Sequence, residues 1–147
     1  MKHTRESVIA LISECRKNGT RIDLSEQDLS WLDLHVVDLS SANLQSADLR
    51  GTNLRCADLQ EANLSSANLQ GADLRCADFV GADLQEADLR DANLDYCFVQ
   101  LSCKTFGVKA NKQLVSQLLY YLCSMDGIVT GKQIGRASCR ERVLRLV

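Results

Sequence analysis

Between Ile22 and Leu101 the chain repeats a five-residue unit, Ala-(Asp/Asn)-Leu-x-x, sixteen times with no insertion. The central position reads Leu24, Leu29, Leu34, Leu39, Leu44, Leu49, Leu54, Leu59, Leu64, Leu69, Leu74, Phe79, Leu84, Leu89, Leu94 and Val99. A period of five suits neither common secondary structure. On an α-helix it moves the leucine by about 140° per unit, and along a flat strand an odd period throws it onto alternate faces. The chain therefore has to turn once per unit.

Within a unit, the central residue and the one two before it share a strand-like spacing, so both point inward while the Asp or Asn between them points out. A short extended step followed by a turn, repeated, winds the backbone into stacked coils: an all-β solenoid. Recurrences at twenty residues set the coil length. Arg55-Cys56-Ala57-Asp58 returns as Arg75-Cys76-Ala77-Asp78, Gly51 returns as Gly71, and the slot after the leucine alternates through Ser25, Gln45, Ser65 and Gln85. Four units per coil follow.

On these residues the stretch 22–101 resembles the pentapeptide repeat family. The resemblance implies a right-handed quadrilateral parallel β-helix of about four coils, here with an α-helix expected at each end. Four coils at about 4.8 Å between stacked strands reach only roughly 19 Å. Each buried leucine contributes on the order of 1.5–3 kcal/mol relative to exposure, enough to hold such a domain without a cofactor. Proline is absent, as suits stacked coils that need nearly every backbone N–H as a donor.

The ends read as closures. Val8, Leu11, Ile12 and Cys15 fall at helical spacing, with Thr4 as N-cap and Gly19 as stop, which makes residues 1–21 a segment with a capping helix. Ile22, Leu32 and Val37 replace alanine in the first coil and Trp31 sits at a corner, large groups suited to packing under that helix; Gln27 in an inward slot is anomalous. After Leu101 the period fails. A second helix is expected from about Asn111, apolar at Leu114, Val115, Leu118, Leu119 and Leu122. Residues 102–132 resemble a closing module that follows such arrays in some bacterial and phage-associated proteins, and the helix could also pair two copies, giving a monomer or a homodimer. Residues 133–147 resemble the translation of a sequencing adapter and are read as a non-native tail.

Seven cysteines are scattered with no C-x-x-C pair, which disfavours zinc. Cys56 and Cys76 stack one coil apart, within disulfide geometry, though in the cytosol two reduced thiols are the favoured state. No apolar run approaches the roughly 18 residues of a membrane span, and the polar start Met1 to Glu6 lacks a signal peptide's layout. A bacterial, cytoplasmic protein is expected.

Charge is segregated. The repeat array holds fifteen acids and four arginines, net −11, and the remainder is net +9, which together give the total of −2. Numbering the faces from Asp23, Asp28, Asp33 and Asp38, all four arginines (Arg50, Arg90, Arg55, Arg75) lie on faces two and three. Faces four and one carry Asp38, Asp58, Asp78, Glu61, Asp23, Glu26, Asp83 and Glu86 and no base. The uninterrupted column Asp38-Asp58-Asp78 is therefore a candidate interaction surface with Glu61, Asp83 and Glu86. The competing explanation is that Asp and Asn serve the turn of every unit and the charge follows.

No catalytic constellation is visible. His3 and His35 lie in no metal or triad context, and Gly127 to Gln133 falls one residue short of a P-loop. The expected function is a non-enzymatic scaffold for an unidentified protein partner, with no cofactor, no metal, no direct nucleic-acid binding and no membrane. The family resemblance supplies an alternative. Some members mimic duplex DNA and inhibit or protect type II topoisomerases, although so short an array offers less charge than a duplex, with its phosphate every ~1.7 Å.

Overall fold

A computed structural model describes residues 3–97 and 108–109. The expected C-terminal helix, the pairing of two copies through it, the 133–147 tail and Cys103, Cys123 and Cys139 lie outside the described residues.

Helix α1 (Arg5–Asn18) is set by its ends. Thr4 Oγ1 accepts from the Ser7 N–H, and Ser7 Oγ accepts from the Thr4 N–H in return, a reciprocal capping box. Gly19 stops the helix in the left-handed conformation at φ 64, its N–H reaching back to the Arg16 carbonyl. The buried face is Val8 and Ile12, with Leu11 and Cys15 partly covered.

From Asp23 to Asn93 the backbone pairs in parallel with itself twenty residues on: Asp23 with Asn43, Asp28 with Asp48, Asp33 with Asn53, Asp38 with Asp58, and so down the stack. Four units make one coil. One unit shows why five residues suffice. Asn43 N–H donates to Ile22 O in the coil above (2.8 Å), Leu44 N–H to Asn63 O (2.8 Å) and Ser46 N–H to Ser65 O (2.9 Å) in the coil below, and Ala47 N–H closes the turn on Leu44 O (3.1 Å). The fifth donor, Gln45 N–H, is taken by the Asn43 side-chain oxygen at 3.3 Å. Every N–H of the unit has a partner, which buried backbone demands.

The turns carry an unusual burden. At every fifth position from Glu26 to Tyr96 the residue has positive φ, yet only Gly51, Gly71 and Gly81 of these are glycine. Even the β-branched Val36 sits at φ 59. An L-residue there costs roughly 1–2 kcal/mol, a cost of the same order as the inter-coil hydrogen bond that the conformation aims.

Inside, the leucines of the central column from Leu24 to Leu74 are fully buried, Phe79 takes the same slot, and alanines fill the smaller one. Ile22 and Val37 of the first coil join Val8 and Ile12 of α1 in one cluster, with Leu32 partly covered. Two large groups behave otherwise. Trp31 is 75% exposed and lies over Gly51, where an added Cβ would meet its ring at 2.3 Å. It does not pack under α1, because the positive φ of its turn (63) directs the side chain outward. Gln27 also turns out of its inward slot: Nε2 donates to Ser25 O at 3.2 Å, and Oε1 lies 3.1 Å from His3 Nε2.

The first coil has no coil above it, and two arginines of α1 supply the missing donors. Within the stack, Asn53 O accepts from Leu34 N–H and Arg55 O from Val36 N–H. The corresponding carbonyls of the first coil, Asp33 O and His35 O, accept instead from the Arg5 guanidinium, and Ser40 O accepts from Arg16 at 3.0 Å. At the other end the register slips by one. Lys109, rather than residue 108, pairs with Asp88: Lys109 N–H donates to Ala87 O (2.8 Å), Leu89 N–H donates to Lys109 O (2.9 Å), and Val108 is buried beside them.

Candidate interaction surface

The outward layer begins with the turn. At each Asx position from Asp23 to Asn93, Oδ1 accepts the backbone N–H two residues on, at 2.9 to 3.4 Å. This Asx turn closes the backbone account, so the residue type is structural first. Whether the oxygen belongs to Asp or Asn is free to vary, and that freedom sets the charge of each face.

On faces two and three, three of the seven acids are paired with an arginine of their own face. Arg50 lies 2.5 Å from Asp48, Arg75 2.6 Å from Asp73 and Arg90 2.5 Å from Asp88, each arginine two residues after its acid. These hydrogen bonds hold the Asp73 and Asp88 carboxyls below the ordinary carboxylate range, with burial opposing. At the top of face three, His35 Nδ1 is 2.8 Å from Asp33 Oδ1, and that contact leads in lowering the Asp33 carboxyl, with burial opposing and a smaller contribution from Arg5. Amide ladders link coils elsewhere: Asn43 Nδ2 donates to Asp23 at 3.0 Å and Asn53 Nδ2 to Asp33 at 2.8 Å.

Face four is different. The column Asp38, Asp58, Asp78 stacks as read from the sequence, but its repulsion is relieved at both ends. Arg16 of α1 bonds Asp38 Oδ1 at 2.8 Å, and the Gln60 side-chain amide donates to Asp78 Oδ2 at 2.8 Å. Burial raises the Asp38 carboxyl, but the Ser40 hydrogen bonds and Arg16 outweigh it and leave the group below its ordinary value. The expectation of eight acids and no base is therefore true of the repeats alone. The last turn of α1 brings a base onto the top of the face, because the solenoid's open end needs donors there.

The neighbouring Glu61 lines a groove of about 530 Å³ together with Cys15, Arg16, Arg21 and Ser41. Asp58, Asp78, Glu61, Asp83 and Glu86 form no ion pair with any described residue. Asp78 and Asp83 flank the same corner, at Gly81, and Glu86 stands at the next corner. What the sequence concealed is the set of residues that trim this edge: Arg16, Arg21 and Gln60. The only signal was two basic residues in the last turn of α1.

Among the described residues no group of three or more His, Cys, Asp or Glu could hold a metal ion, and no helix is long and apolar enough to cross a membrane.

Comparison with known proteins agrees with this architecture. The family model for pentapeptide repeats matches residues 20–55 and 57–95 in eight copies. A pentapeptide repeat protein, alr5209 from Nostoc, is 32% identical, covering 71% of this chain and 95% of its own, with TM-score 0.60. Another, Rfr23 from the cyanobacterium Cyanothece, is 39% identical over 61% of this chain, with TM-score 0.50; the chain spans 60% of that structure's length. QnrB1, a plasmid-mediated fluoroquinolone resistance protein, is 21% identical with TM-score 0.35, too distant to bear on function. Among curated proteins none matches the chain. Proteins of this kind fold as right-handed quadrilateral β-helices, and this chain belongs to the pentapeptide repeat family.

Proposed function

We propose that the chain is a non-enzymatic scaffold that docks a protein partner bearing a basic surface along the edge between faces four and one. One observation carries this reading: Asp58, Asp78, Glu61, Asp83 and Glu86 have no ion pair among the described residues, whereas Asp48, Asp73 and Asp88 on the arginine-bearing faces are each paired with an arginine of the same face. A rigid edge with fixed carboxylate spacing suits electrostatic docking, where complementarity governs specificity and on-rate. The architecture that belongs to this reading is a right-handed prism of about four coils in residues 22–101. Residues 1–21 and 102–132 close its ends with a helix each, and 133–147 is a non-native tail. A cytoplasmic, bacterial setting and a monomer or a homodimer through the second helix complete it.

The test is comparative affinity capture. A protein retained by the wild type, released by salt and lost with Asp58→Asn/Asp78→Asn/Asp83→Asn, but kept by Arg55→Gln/Arg75→Gln, supports the reading. Capture indifferent to the acidic triple change removes it.

The same acidic edge supports a second reading, a DNA mimic acting on a type II topoisomerase. Salt-sensitive inhibition of gyrase supercoiling that falls with Asp38→Asn/Asp58→Asn/Asp78→Asn is its expected signature; no inhibition or protection at micromolar protein disposes of it.

A further inference from the structure

The corner after face three carries Val36, Cys56, Cys76 and Tyr96 in one column. Cys56 N–H donates to Arg75 O at 2.8 Å, and two residues on Asp58 pairs in parallel with Asp78, so the two cysteines stack in register. Stacked strands place such Cα atoms about 4.8 Å apart, inside the roughly 4.4–6.8 Å range of disulfides. Their φ values, 54 and 58, are nearly the same. The two Cα–Cβ bonds therefore leave the corner side by side, and both side chains are exposed. Bringing the Cβ atoms to bonding range needs only a small inward lean at a corner where both side chains are exposed.

The other described cysteines are poorly placed to compete. Cys15 sits partly buried on α1, and Cys97 is half-buried, its thiol pushed up to about 12 by burial. A thiol that stays protonated is a weak nucleophile.

We propose that Cys56 and Cys76 are an oxidative modification site: a dithiol that a hydroperoxide closes into a disulfide stapling one coil to the next. The thiolate of one cysteine attacks the terminal peroxide oxygen. The O–O bond breaks, leaving a sulfenic acid and hydroxide (or alkoxide), which takes up a proton. The second thiolate then attacks the sulfenyl sulfur, forms the S–S bond and expels hydroxide, which leaves as water. The two sulfurs together lose two electrons, and the peroxide gains them. Adjacent thiols make the second step intramolecular, so it outruns further oxidation of the sulfenic acid.

Trypsin supplies a direct readout, because Arg55 and Arg75 precede the two cysteines and each begins its own peptide, residues 56–75 and 76–90. The full reduced chain is treated with a few equivalents of hydrogen peroxide, blocked with N-ethylmaleimide and weighed intact before digestion. The expected result is a monomer that carries two maleimide adducts fewer than the blocked reduced chain, with peptides 56–75 and 76–90 joined. Reductant should reverse the change, and Cys76→Ser should abolish it while leaving circular dichroism unchanged. Gains of about 16 or 32 Da at either cysteine with no joined peptide, a cross-link to any other cysteine, or a disulfide between copies would each overturn the proposal.

Discussion

The Arg16 guanidinium lies 2.8 Å from the Asp38 carboxylate and, in the same reach, accepts the role of a missing coil by donating to Ser40 O at 3.0 Å. One side chain thus ends the hydrogen-bond ladder of the solenoid and neutralises the first acid of its acidic column. Both partners are substantially exposed, 43% and 58%, so its ion-pair component is small.

Arg16→Ala is expected to destabilise the fold by about 1 kcal/mol, mostly through the lost carbonyl donor rather than the lost charge. Arg16→Lys should recover part of it, since an ammonium can reach only some of the three acceptors, Asp38 Oδ1, Ser40 O and Ser40 Oγ. Urea unfolding in low and high salt checks this: a deficit that vanishes at high salt would make the effect purely electrostatic and contradict the expectation.

Gly51 and Gly71 separate conformational from steric cost. Both have positive φ, 61 and 67, but a Cβ at Gly51 meets the Trp31 ring whereas one at Gly71 meets nothing within 4 Å. Gly71→Ala is expected to cost about 1 kcal/mol from the left-handed backbone alone. Gly51→Ala carries that cost and also displaces the indole. Trp31 is the chain's one tryptophan, so intrinsic fluorescence should change for Gly51→Ala and stay fixed for Gly71→Ala.

At Asp58 the charge and the turn can be pulled apart. Its Oδ1 accepts Gln60 N–H at 3.0 Å, and an Asn oxygen does the same at Asn53 and Asn63. Asp58→Asn is therefore expected to leave stability within about 0.5 kcal/mol of wild type, while Asp58→Ala strands the Gln60 donor and costs about 1 kcal/mol. Thermal melts of the two variants give the comparison. Equal losses would mean that the carboxylate charge, not the Asx turn, sustains the position.

Acid should weaken the arginine-bearing faces. The Asp73 and Asp88 carboxyls are held low, first by their bonds to Arg75 and Arg90, so the unfolded chain binds more protons than the native one once pH enters the carboxylate range. The stability they confer is full above the unfolded value, about 4, and is lost as pH falls through it towards the depressed folded values. Urea midpoints measured from pH 7 down to pH 3 should fall more steeply for the wild type than for Arg75→Gln/Arg90→Gln. Parallel curves would show these pairs to be irrelevant to acid stability.

The acidic column was legible as a list of residues but not as a surface. Asp38, Asp58 and Asp78 are aligned by a period anyone can count, yet the donors that moderate them, Arg16 and Gln60, lie 22 residues before and 18 before their acceptors. Glu61 shares its groove with Arg16 and Arg21 for the same reason. The chain folds back over its own open end, and no local pattern announces where a long side chain will land.

The five-residue period by itself determined the inward leucine column, the alanine slot and the outward Asx, and the recurrences at twenty residues marked the coil. The first three follow from strand alternation and from the need to turn once per unit. Only the tertiary structure decided the rest. Left-handed turns at residues as unsuited as Val36 exist because each turn N–H must reach the next coil, a demand imposed by stacking and invisible in a sequence with three glycines among those positions. Likewise Trp31 lies on Gly51, Arg5 and Arg16 stand in for an absent coil, and Lys109 rejoins Asp88 one residue out of register. Each is a place where unsatisfied backbone or open space at the edge of the array was filled by whatever the folded chain could bring there.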